Sequence, residues 1–179
     1  ASYLARARAL CDRHGVHLIA DEIITGFGRT GSMFACEQAG IRADFMCLSK
    51  GITGGYLPLS CVLTTDQIYA AFYDDDTARG FLHSHSYTGS ALACRAALAT
   101  LDIFESDDVI KANRKKSAQL TASCAPILAL PQVRNFRNLG MIWAFEVNSQ
   151  QTDLMNESPD DLLFDCNSTA DRFSMKPDI

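Results

Sequence analysis

The stretch that decides the fold is Val16-His17-Leu18-Ile19-Ala20-Asp21-Glu22. Its short apolar run predicts a buried strand, which ends abruptly at the two acids and passes into a glycine-rich loop reaching Gly31. A second run, Asp44-Phe45-Met46-Cys47-Leu48, delivers Ser49-Lys50 into the glycine-rich turn 51–55 in the same manner. Strands of this kind separated by helical patterns are typical of an α/β domain built on a mainly parallel sheet with flanking helices.

Helical spacing of apolar residues predicts the elements around these strands. The predicted helices cover 3–13, 33–39, 66–73, a long segment beginning after Ser90 as N-cap, and 108–124. The first helix would place Leu4, Ala7 and Cys11 on one face and end at Gly15. The long helix would bury one face, formed by Cys94, Ala97, Leu98, Leu101 and Phe104. Further strands are predicted at 59–64 and 141–147, and a loop at 74–89.

The pattern divides the chain into three parts. Residues 1–124 form part of a large domain, and 125–148 begin a smaller α+β domain after Pro126 and Pro131 break the helical pattern. Residues 149–179 are acidic and have little periodicity, so we expect a poorly ordered tail there. The lack of an initiator Met and this change of composition together indicate a fragment of a longer protein.

Composition excludes several classes of function. The 179 residues are 47% hydrophobic with a net charge of -5, so nucleic acid is not an expected partner. No apolar run is long enough to span a membrane and no signal peptide precedes the first helix, so we expect a cytoplasmic protein. The seven cysteines form no C-x-x-C pair and are expected to be buried reduced thiols.

Two charged residues, Asp21 and Lys50, follow the first two predicted strands. The carboxyl ends of neighbouring parallel strands meet at one edge of a sheet, where ligands of α/β proteins bind. A carboxylate there needs a cationic partner such as a protonated pyridine nitrogen, and a desolvated lysine amine can attack an aldehyde. The pair therefore fits a pyridoxal cofactor. The residues alone leave open an ordinary ion pair between them.

Two other motifs permit different chemistry. The run 26–31 matches G-x-G-x-x-G, with Asp44 downstream, as in a dinucleotide site, although it begins five residues after Asp21 and does not turn directly into a helix. His83 and His85 form an H-x-H pair, but no cysteine or carboxylate lies nearby at ligand spacing, so no metal is expected.

Three ordered motifs resemble those of the class III aminotransferases. They are Leu18–Gly31, Leu48–Gly55 and His83–Gly89, within a similarity that extends from about residue 3 to 147. The resemblance implies part of the large domain of a fold-type I transferase that depends on pyridoxal 5'-phosphate (PLP), and the start of its small domain.

The resemblance also implies the roles of the residues around the cofactor ring. Asp21 would keep the pyridine nitrogen protonated, and Ile23 would lie against the ring. Lys50 would form the Schiff base with PLP and, once substrate displaces it, act as general base and acid. Arg29 would lie at the substrate pocket, although a structural arginine in a tight turn remains an alternative.

The third motif implies contributions across a homodimer interface. His85 and Ser86 would bind the cofactor phosphate of the neighbouring subunit, and Ser84 would lie near substrate. Ser86 stands where the family commonly has Thr, which retains the hydroxyl. Gly89-Ser90-Ala91 replaces the common Gly-Asn-Pro and leaves a competent N-cap.

Within the family, the similarity is greatest to enzymes of biotin synthesis. These transfer an amino group from S-adenosylmethionine to 8-amino-7-oxononanoate, giving 7,8-diaminononanoate. An ω-amino-acid or 4-aminobutyrate aminotransferase and a non-catalytic truncated remnant are the alternatives. Because the family's other phosphate, ring and carboxylate contacts lie outside this segment, we expect the isolated chain to be slow or inactive.

Overall fold

The computed structural model describes residues 2–148, which form six α-helices and five strands. The helices are α1 (Ser2–His14), α2 (Ala35–Gln38), α3 (Asp66–Ala70), α4 (Ala91–Ser106), α5 (Val109–Ser123) and α6 (Ala125–Leu128). The strands are β1 (Ile19–Asp21), β2 (Phe45–Leu48), β3 (Cys61–Thr64), β4 (Val133–Leu139) and β5 (Ile142–Val147). Within this described part, no helix has the length and apolar character needed to cross a bilayer. The predicted tail, 149–179, lies outside the described residues.

The sheet that carries the candidate site is mixed, which corrects the prediction of a mainly parallel sheet. β1 pairs with β2 in parallel, and β2 pairs with β3 antiparallel. The connection from β2 to β3 is a 3-10 turn, Lys50–Thr53, followed by a loop, and it contains no helix that crosses back over the sheet. The chain therefore reverses at the edge where β2 ends.

β1 is less buried than its apolar sequence predicts. Ile19 is 64% exposed and Val16 is 54% exposed, whereas Leu48 at the end of β2 is buried. Only one neighbour, β2, pairs with β1 in the described sheet, so β1 is an edge strand here.

The termini of α1 follow their sequence signals. The predicted face of Leu4, Ala7 and Cys11 is half-buried, and Gly15 adopts a left-handed φ of 62° just after the helix. The amide of Val16 donates to the carbonyl of Cys11 at 3.0 Å, as in a Schellman motif.

The described core lies beneath the 3-10 turn that begins at Lys50. Phe27, Leu48, Ile52 and Ala97 are buried together in it. Partly buried hydrophobic residues pack around this cluster: Met33, Phe34, Met46, Leu59, Cys61 and Phe104.

Helix α4 contacts the core through a stripe that overlaps the predicted one in part, because Ala97 is buried and Phe104 packs against the core cluster as predicted. Ala93 and Ala97 are buried, whereas Cys94, Leu98 and Leu101 are exposed. Small alanines let the helix backbone approach the Lys50–Thr53 turn closely, which bulkier leucines at the same positions would prevent. Ser90 occupies the N-cap position, but its side chain forms no capping hydrogen bond.

The β4–β5 hairpin packs at the end of α5. The indole nitrogen Nε1 of Trp143 donates to the hydroxyl of Thr121 at 2.9 Å. β5 was predicted, whereas its partner β4 was not, because the polar run Arg134 to Asn138 lacks a clear alternation of apolar residues.

Candidate functional site

The parallel pairing of β1 and β2 brings the two predicted charged groups to one edge of the sheet. Asp21 lies in register with Cys47, three residues before Lys50, and the amide of Glu22 donates to the carbonyl of Cys47 at 3.0 Å. Both charged side chains are exposed. Among residues 2–148 no ion pair within 4.0 Å joins them, so the structure does not support an ordinary ion pair.

The carboxylate of Asp21 is oriented by its own loop. Its Oδ1 accepts a hydrogen bond from the amide of Ile23 at 3.0 Å, and within the described residues its Oδ2 has no protein donor. Ile23 itself is half-buried beside it. One carboxylate oxygen is thus free to accept a hydrogen bond from a donor such as a pyridinium N–H.

Lys50 lies in an unusual backbone conformation. Its φ is 47°, in the left-handed region that a non-glycine residue occupies at a cost of roughly 1–3 kcal/mol. It begins the Lys50 turn, residues Lys50–Thr53, which Ser49 anchors by donating from Oγ to the carbonyl of Leu59 at 2.8 Å. Within the turn, Thr53 is buried and donates from Oγ1 to the carbonyl of Leu57 at 2.6 Å. A lysine on a turn anchored at both ends has a well-defined direction of approach to a ligand.

Arg29 is exposed on what we call the Arg29 loop, residues 22–34. Its carbonyl accepts the amide of Met141 from the β4–β5 hairpin at 2.7 Å. In the described part of the chain, its guanidinium forms neither an ion pair nor a hydrogen bond. The loop backbone is therefore held by the hairpin, while the guanidinium of Arg29 is exposed.

The buried carboxylate of Glu22 fixes the Arg29 loop, and sequence analysis assigned it no role. Only 2% of Glu22 is exposed, and its carboxylate accepts the amides of Ala35 at 3.1 Å and Cys36 at 2.9 Å, and the hydroxyl of Thr25. Burial raises the pKa of this carboxyl, but these hydrogen bonds outweigh burial and hold the pKa below its ordinary value.

The carboxylate of Glu22 also affects the thiol of Cys36. Burial and this neighbouring carboxylate raise the pKa of Cys36 to about 11. The thiol is therefore protonated at neutral pH and poorly nucleophilic. The only local signal for this network is an acid that precedes a helix N-terminus by 13 residues, and such a separation is not a recognised capping pattern.

The glycines of the G-x-G-x-x-G run pack against protein atoms. A Cβ at Gly26 would lie 2.8 Å from the carbonyl oxygen of Glu22, and one at Gly28 would lie 2.9 Å from Cδ1 of Ile110. The next helix, α2, begins only at Ala35. These glycines permit close packing of the loop and do not open a phosphate cradle, so the dinucleotide alternative is wrong.

The segment Ser84–Ser86 lies in an exposed turn. The amide of His85 donates to the hydroxyl of Thr88 at 3.0 Å, and the amide of Tyr87 donates to Nδ1 of His85 at 3.1 Å. An acceptor Nδ1 leaves the proton of the neutral ring on Nε2, where it can serve as a donor to an anion. No three His, Cys, Asp or Glu side chains within residues 2–148 converge as a metal site would require.

A cavity of about 560 Å³ lies between this turn and the residues around the Lys50 turn. Its lining includes Ser49, Leu59, His85 and Ser90. His85 thereby lines the same cavity as Ser49, the residue that precedes Lys50, whereas Ser84, Ser86, Asp21 and Arg29 are not part of this lining. The cavity therefore lies between the His85 turn and Ser49 and Leu59, and Lys50 is not part of its lining either.

The protein family described as Aminotransferase class-III matches residues 1–164, which is most of the chain. The chain therefore belongs to that family, as the resemblance of its sequence motifs indicated. The chain is 54% identical over 152 residues to the adenosylmethionine-8-amino-7-oxononanoate aminotransferase of Helicobacter pylori, covering 82% of this chain and 35% of that protein.

Solved structures agree with this assignment. The enzyme of the same name from Methanocaldococcus jannaschii matches with a TM-score of 0.76 and 38% identity, over 82% of this chain and 35% of that one. An amine transaminase from an uncultivated Pseudomonas species, in its PLP-bound form, matches with a TM-score of 0.75 and 40% identity, over 82% and 34%. The chain thus spans about a third of the length of the relatives it matches.

Proposed function

We propose that the enzyme to which this chain contributes is a PLP-dependent aminotransferase that moves an amino group from S-adenosylmethionine to 8-amino-7-oxononanoate, giving 7,8-diaminononanoate for biotin synthesis. The observation that carries the proposal is the shared sheet edge of Asp21 and Lys50 in a chain 54% identical to an enzyme named for these two substrates. When bound, PLP supplies an electron-accepting ring that weakens a bond at the substrate carbon.

The residues of the chain fit the two ends of such a cofactor. The free oxygen of Asp21 can accept a hydrogen bond from the pyridinium N–H and keep that nitrogen protonated, with half-buried Ile23 beside it against the ring. The exposed amine of Lys50 can attach the cofactor. Once the substrate amine has displaced it, its Nζ would take the proton from the substrate carbon and deliver it to the cofactor carbon that carries the amino group. We place Arg29, whose guanidinium has no anion among the described residues, at the substrate pocket, and Ser84 near the substrate.

We infer that the whole enzyme is a homodimer, with Nε2 of His85 and the hydroxyl of Ser86 donating to the cofactor phosphate of the neighbouring subunit. The apolar surface around them supports this inference, because Leu82 is 87% exposed, Tyr87 80% and Leu92 76%. Leu92→Glu should weaken self-association measured by analytical ultracentrifugation. Tyr3→Glu, at a 79% exposed position on α1, should leave it unchanged. Equal effects of the two variants would contradict this interface.

Covalent trapping tests the cofactor assignment. The chain is mixed with PLP, reduced with borohydride, digested and mapped by mass spectrometry. We expect the label on Lys50 in preference to the exposed Lys111, Lys115 and Lys116, and its loss in Lys50→Arg. A label distributed evenly over Lys50 and these three exposed lysines would overturn the assignment of Lys50.

Turnover by the isolated chain is expected to be slow or absent. Each missing charge-assisted hydrogen bond to the phosphate removes about 1.5–3 kcal/mol of binding free energy. Robust transamination by the 179-residue chain alone would contradict this expectation.

A second candidate keeps the chemistry and changes the donor, as in an ω-amino-acid or 4-aminobutyrate aminotransferase. It is favoured by the 40% identity to the Pseudomonas amine transaminase, which is similar to the 38% identity to the Methanocaldococcus jannaschii enzyme. A hybrid in which this chain replaces the matching third of the Helicobacter pylori protein can be assayed with both donors. Faster amino transfer from 4-aminobutyrate than from S-adenosylmethionine would favour the second candidate, with the unaltered Helicobacter pylori protein as control.

A further inference from the structure

Phe27 lies between the two loops that carry the candidate groups. It belongs to the Arg29 loop, yet only 8% of it is exposed, and it is part of the core cluster with Leu48 and Ile52. A Cβ placed on Gly51 would lie 2.7 Å from Cβ of Phe27 and 2.9 Å from its Cγ and Cδ2. The main chain directly after Lys50 therefore rests on the side chain of Phe27, with no room for a larger residue.

Both residues beside this contact hold a costly backbone conformation. Phe27 has a φ of 56° and Lys50 has a φ of 47°, which is the left-handed region that glycine occupies freely and other residues avoid. Such conformations persist only where the surrounding structure over-determines them. The contact of Phe27 with Gly51 joins the two strained positions, so each restrains the other.

Aromatic neighbours hold the ring of Phe27 in place from the remaining directions. Phe34 meets it edge to face at 5.7 Å between ring centroids, and Phe104 of α4 does so at 6.2 Å. The carbonyl of Glu22 accepts the amide of Gly26 at 2.9 Å, which restrains the backbone just before Phe27. The ring is thus a fixed surface against which the Lys50 turn is placed.

We propose that Phe27 is a positioning residue for Lys50: its contact with Gly51 holds Lys50 in the left-handed conformation and directs the amine to the sheet edge of Asp21. The inference rests on the proposed function for its chemical meaning, because it explains how the attaching lysine is oriented. Phe27 thereby joins the Arg29 loop to the Lys50 turn.

The test compares two matched substitutions in the 179-residue chain. Phe27→Leu removes the ring beneath Gly51. The control, Phe45→Leu, removes a half-buried ring of β2 that packs edge to face on His17 and is neither among the atoms nearest to Gly51 nor among the aromatic neighbours of Phe27 described above. Each variant is reacted across a range of pH with acetic anhydride, which acylates any neutral amine, and the modification of Lys50 is divided by that of Lys111 in the same digest. The same ratio is then measured for PLP followed by borohydride.

We expect Phe27→Leu to change the acylation ratio and its pH profile and to lower the PLP ratio by about tenfold or more, because small misplacements of a reacting group have large effects. Phe45→Leu should keep both ratios within about twofold, even if it lowers the melting temperature as much as Phe27→Leu does. Unchanged ratios in folded Phe27→Leu, or equal changes in both variants, would overturn the positioning role. If Phe27→Leu does not fold, Phe27→Met is measured in its place under the same criteria.

The positioning role and the proposed function fail in different ways. If PLP labels no lysine selectively in the unaltered chain, the cofactor assignment fails, while the acylation ratio still tests whether Phe27 orients Lys50. If PLP selects Lys50 equally well in both variants, the positioning role fails and the cofactor assignment stands.

Discussion

Glu22 shows how one buried side chain can determine the shape of a functional loop. Its carboxylate joins the start of the Arg29 loop to the first turn of α2, since it accepts the amides of Ala35 and Cys36. Two amides that would otherwise lack partners in a buried place thereby gain a charged acceptor. The loop that presents Arg29 is consequently closed at its base.

We predict that Glu22→Gln lowers the free energy of unfolding by about 1–3 kcal/mol, because the new amide group faces donor N–H groups with a donor of its own. Urea denaturation followed by circular dichroism measures the change. Glu37→Gln, an exposed acid in the same short helix, should stay within about 0.5 kcal/mol. An equally small loss for both variants would argue against the network.

The pH dependence of stability should carry the signature of Glu22. Since its pKa is held below the ordinary 4.5, its stabilisation is fully present above pH 4.5 and is lost as the pH falls through the folded-state pKa. The melting temperatures of the unaltered chain and of Glu22→Gln are measured at a series of pH values from above to below 4.5. The difference between the two proteins isolates the contribution of Glu22. The difference should shrink as the pH falls below 4.5, and a constant difference would contradict the assigned pKa direction.

At the scale of elements, α1 is held to the sheet by a charged cluster at the start of β2. Nη1 of Arg8 lies 2.7 Å from Oδ2 of Asp44, and the same oxygen accepts the amide of Leu18 at 2.6 Å. The hydrogen bonds from Arg8 and Leu18 hold the pKa of Asp44 below its ordinary value. One carboxylate thereby joins α1, the approach to β1 and the start of β2.

We predict that Asp44→Asn lowers the melting temperature and speeds amide hydrogen exchange in α1, because a neutral side chain cannot hold both donors equally well. Asp12→Asn is the matched control: Asp12 also contacts Arg8 at 2.7 Å, but it is 64% exposed and bonded to no other element. Asp12→Asn should lower the melting temperature only slightly, as expected for the loss of a solvent-exposed ion pair. Equal exchange rates in α1 of the two variants would contradict a docking role for Asp44.

At the scale of the whole molecule, the β4–β5 hairpin docks on the loop that carries Arg29. The turn residue Gly140 has a φ of 59°, and a Cβ there would lie 2.4 Å from the nitrogen of Gly31 and 2.6 Å from the carbonyl oxygen of Arg29. The hydroxyl of Ser117 on α5 donates to the carbonyl of Gly140 and holds the turn from the other side. The hairpin therefore supports the Arg29 loop through backbone contacts.

We predict that Gly140→Ala destabilises the chain more than Gly15→Ala does. Both glycines have left-handed φ angles, 59° and 62°, but nothing lies within 4 Å of a Cβ at Gly15. The control should show only the conformational cost of about 1–2 kcal/mol, and Gly140→Ala should add about 1–3 kcal/mol of overpacking. Urea denaturation of both variants measures the difference, and equal losses would mean that the hairpin does not press on the loop.

Much of the fold and site follows from local patterns in the sequence. Short apolar runs before Asp21 and Lys50 indicated two strands with a shared edge, and helical spacing indicated α1, α4 and α5. Those inferences succeeded because the period of apolar residues reflects the local backbone geometry. The same reasoning misplaced part of the buried stripe of α4, since the choice between Ala93 and Leu98 depends on the partner that the helix meets.

By itself, the sequence determined the chemical groups and the strands that present them: an acid and a lysine at one sheet edge, with motifs that resemble one family of enzymes. Only the tertiary structure decided the antiparallel return of β3, the burial of Glu22, the contact of Phe27 with Gly51 and the docking of Gly140 on the Arg29 loop. These features join residues far apart in the chain, and their free energies depend on distances that exist only after the elements have packed. The local sequence pattern therefore identifies the reacting groups, while long-range packing determines how their side chains are oriented.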